Sequence, residues 1–242
     1  MASAIGEDDL GKQAIQKLKS WNVNTDYVNV DKQLQTGQCI VKLDEKGIPT
    51  YNLLRNVAYD HIECRAENEQ FDALYFGTLS LRDSDNLISL KNLLKNNLFK
   101  EVFVDVNIRP PFYSKDSILF ALDNATIIKI SDEELPILLK TVYGDLSDGK
   151  NVFSVLSESF RNLKMIILTM GEKGSVAYDC RKNEKYEMGA KKVTVVSTVG
   201  AGDSFSAAFM YSYLSGKNIE ECLREASELS AFVVSQKDAI PE

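Results

Sequence analysis

Histidine is almost missing from this 242-residue chain, with His61 its single copy, and the four cysteines (Cys39, Cys64, Cys180, Cys222) are scattered without a CxxC pair. A structural zinc centre needs several such ligands at short spacings, and a disulfide framework needs a smaller, denser cysteine pattern, so both are disfavoured. Lys and Arg nowhere form a dense run, and the formal charge is −7. That balance argues against nucleic acid or an anionic membrane surface as the main partner. No apolar run reaches the length of a membrane span, and the opening MASAIGEDDLGKQ is too acidic for a secretory signal. No Gly-Lys-Ser/Thr triplet is present, which excludes a P-loop. There is no internal repeat and no low-complexity linker. The expectation is a soluble, cytoplasmic protein whose partners are small molecules.

What is present fits a folded α/β domain. Hydrophobic residues make up 44% of the chain and charged residues 26%, enough to bury a substantial core in a single domain over 1–242. Short β-branched runs at 72–77, 101–107, 125–130, 164–170, 175–179 and 192–197 read as strands. Between them lie helix-period stretches. Leu87, Leu90, Leu94 and Leu98 form one stripe, and Ile219, Leu223, Ala226 and Val233 another. Nearly continuous apolar strands alternating with helices predict a parallel sheet covered on both faces. Residues 36–60 break the rhythm and predict a hairpin turning at Asp44-Glu45-Lys46-Gly47. The first residues carry so little apolar sequence that the buried strand expected to open a doubly wound domain is read as missing or replaced.

Four stretches carry candidate chemistry. In STVGAGDSFSAAF (197–209) a glycine-rich turn leads from a β-branched run into a helix. Asp203 there reads as a helix N-cap. Equally, Gly200, Ala201 and Gly202 read as an anion cradle of free amides, with Asp203 accepting a proton from an attacking hydroxyl. A dinucleotide fingerprint is excluded, because Phe205 stands where its third small residue belongs. TMGEKGS (169–175) is a tight turn between two strands, either a plain hairpin or a ligand loop at a strand's carboxyl end. In KISDEEL (129–135), Ser131 and Glu134 have capping-box spacing. In VDVNIRPP (104–111), Asp105, Asn107 and Arg109 alternate at a strand end and are expected to share one face.

Taken together and in this order, these stretches resemble the ribokinase/PfkB family of carbohydrate kinases. The residues 36–62 look like that family's sugar-covering lid and its return to the core. DVNIRPP, KISDEEL and AYDHI are most similar to the fructokinase branch. The resemblance implies a three-layer α/β/α sheet with a small β lid, and transfer of the ATP γ-phosphoryl group to a sugar hydroxyl. It implies Asp203 as general base, with Gly200, Ala201 and Gly202 as the anion hole. Asn107, Arg109 and Asp203 would face the sugar and its phosphate. Ser131, Thr169, Gly171, Glu172, Gly174 and Gly202 would line the nucleotide site, and Glu134 would order Mg²⁺ and its waters. ATP and Mg²⁺ are therefore the implied cofactors, and a homodimer through the lid the implied assembly. Two departures stand out. Ser197-Thr198 replaces the family's Asp-Thr, removing a carboxylate that often serves a monovalent-cation site, and Asp238 replaces a glycine. A third is that the sequence begins where the family's first strand and Gly-Gly…Asn segment have already passed. The alternative reading that follows is a catalytically impaired remnant binding nucleotide or sugar as a regulator.

Overall fold

The structure, a computed structural model, describes residues 1–43, 49–144 and 151–241. The chain divides into two compact units, Met1–Phe71 with Ser80–Phe99, and Asp72–Leu79 with Lys100–Glu242.

The first unit opens on a strand after all. β1 (Ser3–Gly6) buries Ala4 and Ile5 and pairs in parallel with β2 (Val28–Asp31). Four residues suffice because the connecting helix α1 (Asp9–Ser20) starts at once, its first turn capped by the Asp8 carboxylate, which accepts the Gly11 N–H at 2.8 Å. The same carboxylate accepts the Thr36 N–H and hydroxyl, and these bonds hold it below the ordinary carboxylate range. β3 (Cys39–Leu43) and β4 (Pro49–Leu53) form the expected hairpin as a separate two-stranded antiparallel sheet. Its predicted turn at 44–47 lies outside the described residues. Helix α2 (Ser84–Asn96), capped by Asp83, keeps Leu87, Leu90 and Leu94 half-buried. Leu98 does not continue that stripe: the helix has ended, and Leu98 starts the next strand with its side chain exposed.

The second unit is built on a six-stranded sheet. Its strands are β5 (Gln70–Gly77), β6 (Leu98–Asp105), β7 (Ile127–Ser131), β8 (Met165–Thr169), β9 (Ser175–Asp179) and β10 (Glu184–Met188), in the order β10-β9-β8-β7-β6-β5. Its helices are α3 (Lys115–Asn124), α4 (Leu135–Tyr143), α5 (Val152–Ser159), α6 (Ala201–Leu214) and α7 (Ile219–Val234). β6, β7 and β8 run parallel, as their apolar sequences predict. The sheet is not parallel throughout, however, because β8–β9 and β9–β10 are antiparallel. The turn after Thr169 is too short for a crossover, so the chain must fold straight back. The helix stripe predicted in 218–234 packs as expected. Leu223, Ala226, Phe205 and Phe209 from α6 and α7 meet Phe103, Ile127 and Ile167 of the sheet in one core. A capping box of Asn218 and Glu221 starts α7.

The run 192–197 is not a strand. Its Val193, Val195 and Val196 are exposed, and the amides of Val196 and Ser197 donate to the Val234 carbonyl at the end of α7. The β-branched composition alone does not make a strand here, because the six-stranded sheet offers this stretch no partner. No helix among the described residues is long and apolar enough to cross a membrane.

Candidate active site

The carboxyl ends of β6, β7 and β8 lie side by side, with Asp105 paired in register to Lys129 and Ser131 to Thr169. In open α/β sheets this is the edge where ligands gather. Each parallel strand ends there in polar residues.

The glycine turn reaches it through α6, where a Cβ on Gly202 would lie 3.5 Å from the Lys129 ammonium. Gly200 is the N-cap, with φ +83°, and a Cβ there would lie 2.9 Å from the Ala239 Cβ. Only glycine meets both demands. Asp203 is therefore not the cap: it sits one turn in, exposed, and its carboxylate makes no hydrogen bond or ion pair among the described residues. The helix starts at Ala201, whose N–H reaches the Thr198 carbonyl at 3.3 Å. The amides of Gly202 and Asp203 have no acceptor among the described residues, which is the ordinary state of a helix's first N–H groups. The turn thus combines open amides, the positive end of a helix dipole and a carboxylate with no structural duty.

Glu134 has such a duty. One of its oxygens accepts the Ile108 N–H at 2.7 Å and the other the Ser131 N–H at 2.9 Å, while its own amide donates to the Ser131 hydroxyl at 3.2 Å. It therefore ties the end of β7 to the loop carrying Asn107 and Arg109. The three polar residues of 105–109 do not share a face as the alternation predicted. β6 stops at Asp105, Asn107 takes a left-handed φ of +40°, and Arg109 is exposed ahead of the Pro110-Pro111 pair. Asn tolerates that conformation better than most side chains.

Thr169 ends β8 half-buried, its hydroxyl 3.5 Å from the Ile130 carbonyl. Gly171 and Glu172 follow in an exposed 3-10 turn. TMGEKGS is thus a hairpin turn, and it is also placed at a strand's carboxyl end. Gly174 is required by its φ of +95° and by the Met188 carbonyl, which a Cβ would meet at 2.0 Å. Gly171, at φ +54°, faces open space.

Sequence reasoning missed Lys129. It lies on β7 between two buried isoleucines, and its ammonium bonds Asp105 at 2.7 Å, both side chains being 6% exposed. Asp105 also accepts the Ser206 and Tyr75 hydroxyls at 3.3 Å each. Burial first, then the carboxylates of Asp105 and Asp203, push the Tyr75 phenol well above its ordinary range. The signal was present in principle: a lysine inside an otherwise apolar central strand must find a carboxylate.

A cavity of 430 Å³ is lined by Tyr75, Asp203, Ala207, Met210, Tyr211 and Leu214, Asp203 being its one charged group. A larger one of 590 Å³ lies in the first unit against residues including Asp31, His61 and Arg65, and none of the sequence candidates lines it.

Comparison with known proteins agrees with this geometry. The model of the pfkB family carbohydrate kinases matches residues 1–242. Fructokinase-2 of Zea mays is 29% identical over 98% of this chain and 74% of its own length. The 2-dehydro-3-deoxygluconokinase of Haemophilus influenzae is 27% identical over 98% of this chain and 79% of its own. Among solved structures, the fructokinase of Vibrio cholerae O395 with fructose, ADP and calcium superposes with a TM-score of 0.78 at 20% identity, covering 98% of this chain and 80% of that one. The Methanocaldococcus jannaschii nucleoside kinase, an archaeal ribokinase-family member, gives 0.77 at 22%, over 98% and 74%. The fold is accordingly the three-layer α/β/α arrangement of ribokinase-like proteins, and the chain belongs to the pfkB family of carbohydrate kinases, most similar to its fructokinases.

Proposed function

We propose that this chain transfers the γ-phosphoryl group of ATP to a hydroxyl of a small sugar, with fructose the first acceptor to test. The observation that carries the reading is the unpartnered Asp203 carboxylate in the first turn of α6, beside amides with no internal acceptor. A fixed negative charge next to an anion cradle is unfavourable unless it takes up a proton. In the proposed step the sugar oxygen bonds to phosphorus, the bond from phosphorus to the ADP oxygen breaks, and the hydroxyl proton passes to Asp203. The open amides of Gly202 and Asp203 offset the charge that builds on the transferring group, whereas the Ala201 N–H, expected in the anion hole, is already bonded to the Thr198 carbonyl. Ser131, Thr169, Gly171, Glu172 and Gly174, at the carboxyl ends of β7 and β8, are proposed to line the nucleotide. Asn107 and Arg109 are proposed to meet sugar and phosphate.

The metal fits a modest role. Each Glu134 oxygen already accepts one amide, leaving one lone pair apiece, which suits a water shared with Mg²⁺ better than a direct cage. When bound, Mg²⁺ would neutralise phosphate charge. Ser197 offers a hydroxyl where a monovalent cation would want a carboxylate, so potassium is not expected to raise the rate. The β3–β4 hairpin is proposed as the lid. Both its edges are free of other strands among the described residues, which leaves it able to pair with a second copy. Sedimentation would test that dimer.

The deciding experiment is ADP release from Mg·ATP with and without fructose, on the wild type and on Asp203→Asn. Loss of about 10²–10⁴-fold in turnover with nucleotide binding retained is the expected result. Wild-type rates in the variant would remove Asp203 from the mechanism. Tight Mg·ATP binding with no transfer to any sugar would replace the kinase reading with that of a nucleotide-binding regulator.

A further inference from the structure

The Lys129–Asp105 pair has no evident structural purpose. A buried ion pair seldom out-stabilises apolar residues of the same size, because desolvation offsets the attraction. The neighbouring positions Ile128 and Ile130 show that this strand takes aliphatic residues readily. Yet a lysine and an aspartate are buried together at the carboxyl ends of adjacent strands, where the candidate site lies.

Their contacts point to a reason. The Lys129 ammonium lies 3.5 Å from where a Cβ on Gly202 would stand, so it packs against the first turn of α6. Asp105 accepts the Ser206 hydroxyl one turn further along. Gly202 and Ser206 are four residues apart and share a helix face. The pair therefore touches α6 at two points on either side of Asp203 in sequence. Two contacts one turn apart fix both the rotation of the helix about its axis and its height above the sheet. Tyr75 braces the same carboxylate from β5.

We infer that Lys129 and Asp105 form a positioning pair, which holds the first turn of α6 on the sheet and so sets where Asp203 and the open amides stand. In this role the pair acts through α6 and not on the reacting atoms. A lysine suits this place because its ammonium is a compact point charge with three donors, where an arginine fork would demand a planar partner.

The inference rests on the kinase reading for its kinetic arm but not for its structural one. Three variants are compared with wild type: Lys129→Met, Lys129→Arg, and the double change Asp105→Asn with Lys129→Met, which leaves no buried charge unpaired. In the double variant kcat is expected to fall about 100-fold, as a displacement of order 1 Å costs elsewhere, with KM for Mg·ATP and for sugar nearly unchanged. Lys129→Arg, which keeps the charge, is expected to recover part of that loss. Amide exchange followed by NMR supplies the second arm. Protection at Ser204, Phe205 and Ser206 should drop by about tenfold or more relative to Phe209–Leu214 of the same helix.

A folded double variant with wild-type kcat would overturn the inference. So would protection that is unchanged, or that falls evenly along α6, since an even fall marks lost global stability alone. Should the wild type itself transfer no phosphoryl group, the kinase reading fails, and the exchange pattern still decides the positioning role.

Discussion

Among the described residues each unit buries one ion pair almost completely, and the two are built differently. In the first unit Arg82 grips Asp60 with its fork, Nε to Oδ1 at 2.6 Å and Nη2 to Oδ2 at 2.9 Å. It also donates to the Leu54 carbonyl just past β4, and its guanidinium lies 4.6 Å from the Tyr59 ring centroid. Planar geometry, a backbone anchor and an aromatic face make this a rigid staple at the base of the hairpin. In the second unit Lys129 meets Asp105 through one contact, and the remaining partners of that carboxylate are hydroxyls. The first pair joins segments of chain to one another. The second supports a helix end whose outer side carries the candidate chemistry. Burial alone therefore does not say what an ion pair is for, whereas the kind of partner does.

The sharpest way to break this contrast is Arg82→Met. It leaves Asp60 buried and uncompensated, and about 3–5 kcal/mol of stability should be lost in urea unfolding, with kcat per folded molecule falling far less than in the Lys129 variants. A fall in kcat as deep as that for the Lys129 variants would erase the distinction. Next in size is Asp60→Leu with Arg82→Met, which removes both charges. It should come within about 2 kcal/mol of wild type, because the desolvation cost disappears with the attraction. A double variant no more stable than Arg82→Met would show that the fork holds the hairpin base in a way packing cannot replace. Ser206→Ala removes one hydroxyl from Asp105. Stability should change by about 1 kcal/mol, while protection of the first turn of α6 falls measurably.

The smallest effect concerns an exposed counterpart, His61 with Asp85 at 2.8 Å. The hydrogen bond to Asp85, ahead of nearby carboxylates, raises the His61 pKa above its ordinary 6.5. A raised pKa means the folded state holds the proton more tightly. The contribution is therefore complete below pH 6.5 and fades as pH rises through the folded value. Thermal unfolding of wild type and His61→Asn should converge toward pH 8 and separate toward pH 6. Curves that stay parallel would remove the pair from the stability balance.

What the sequence showed depended on whether a signal was local. β6 to β9 and α7 were legible because apolar period and length agree with burial there. β1 escaped because four residues carry no period, and 192–197 misled because β-branching does not report the presence of a partner strand. At the site, Gly200 and Asp203 stand in one readable stretch, although only the structure shows Gly200 and not Asp203 to be the cap. Asp105 and Lys129 are 24 positions apart. Their pairing depends on the register of two strands, which no short stretch encodes.

One contact reaches further than its size suggests. Ala239 fills the space a side chain at position 200 would need, so the two positions share a single allowance of volume. Residue 239, far from the turn in sequence but against it in space, therefore limits the glycine turn through bulk and not charge. Ala239→Val would press on Gly200 from outside and tilt the amides that follow it. Because its φ already confines position 200 to glycine, residue 239 should stay small in related sequences, which would mark the turn as gripped from two sides and not merely bent.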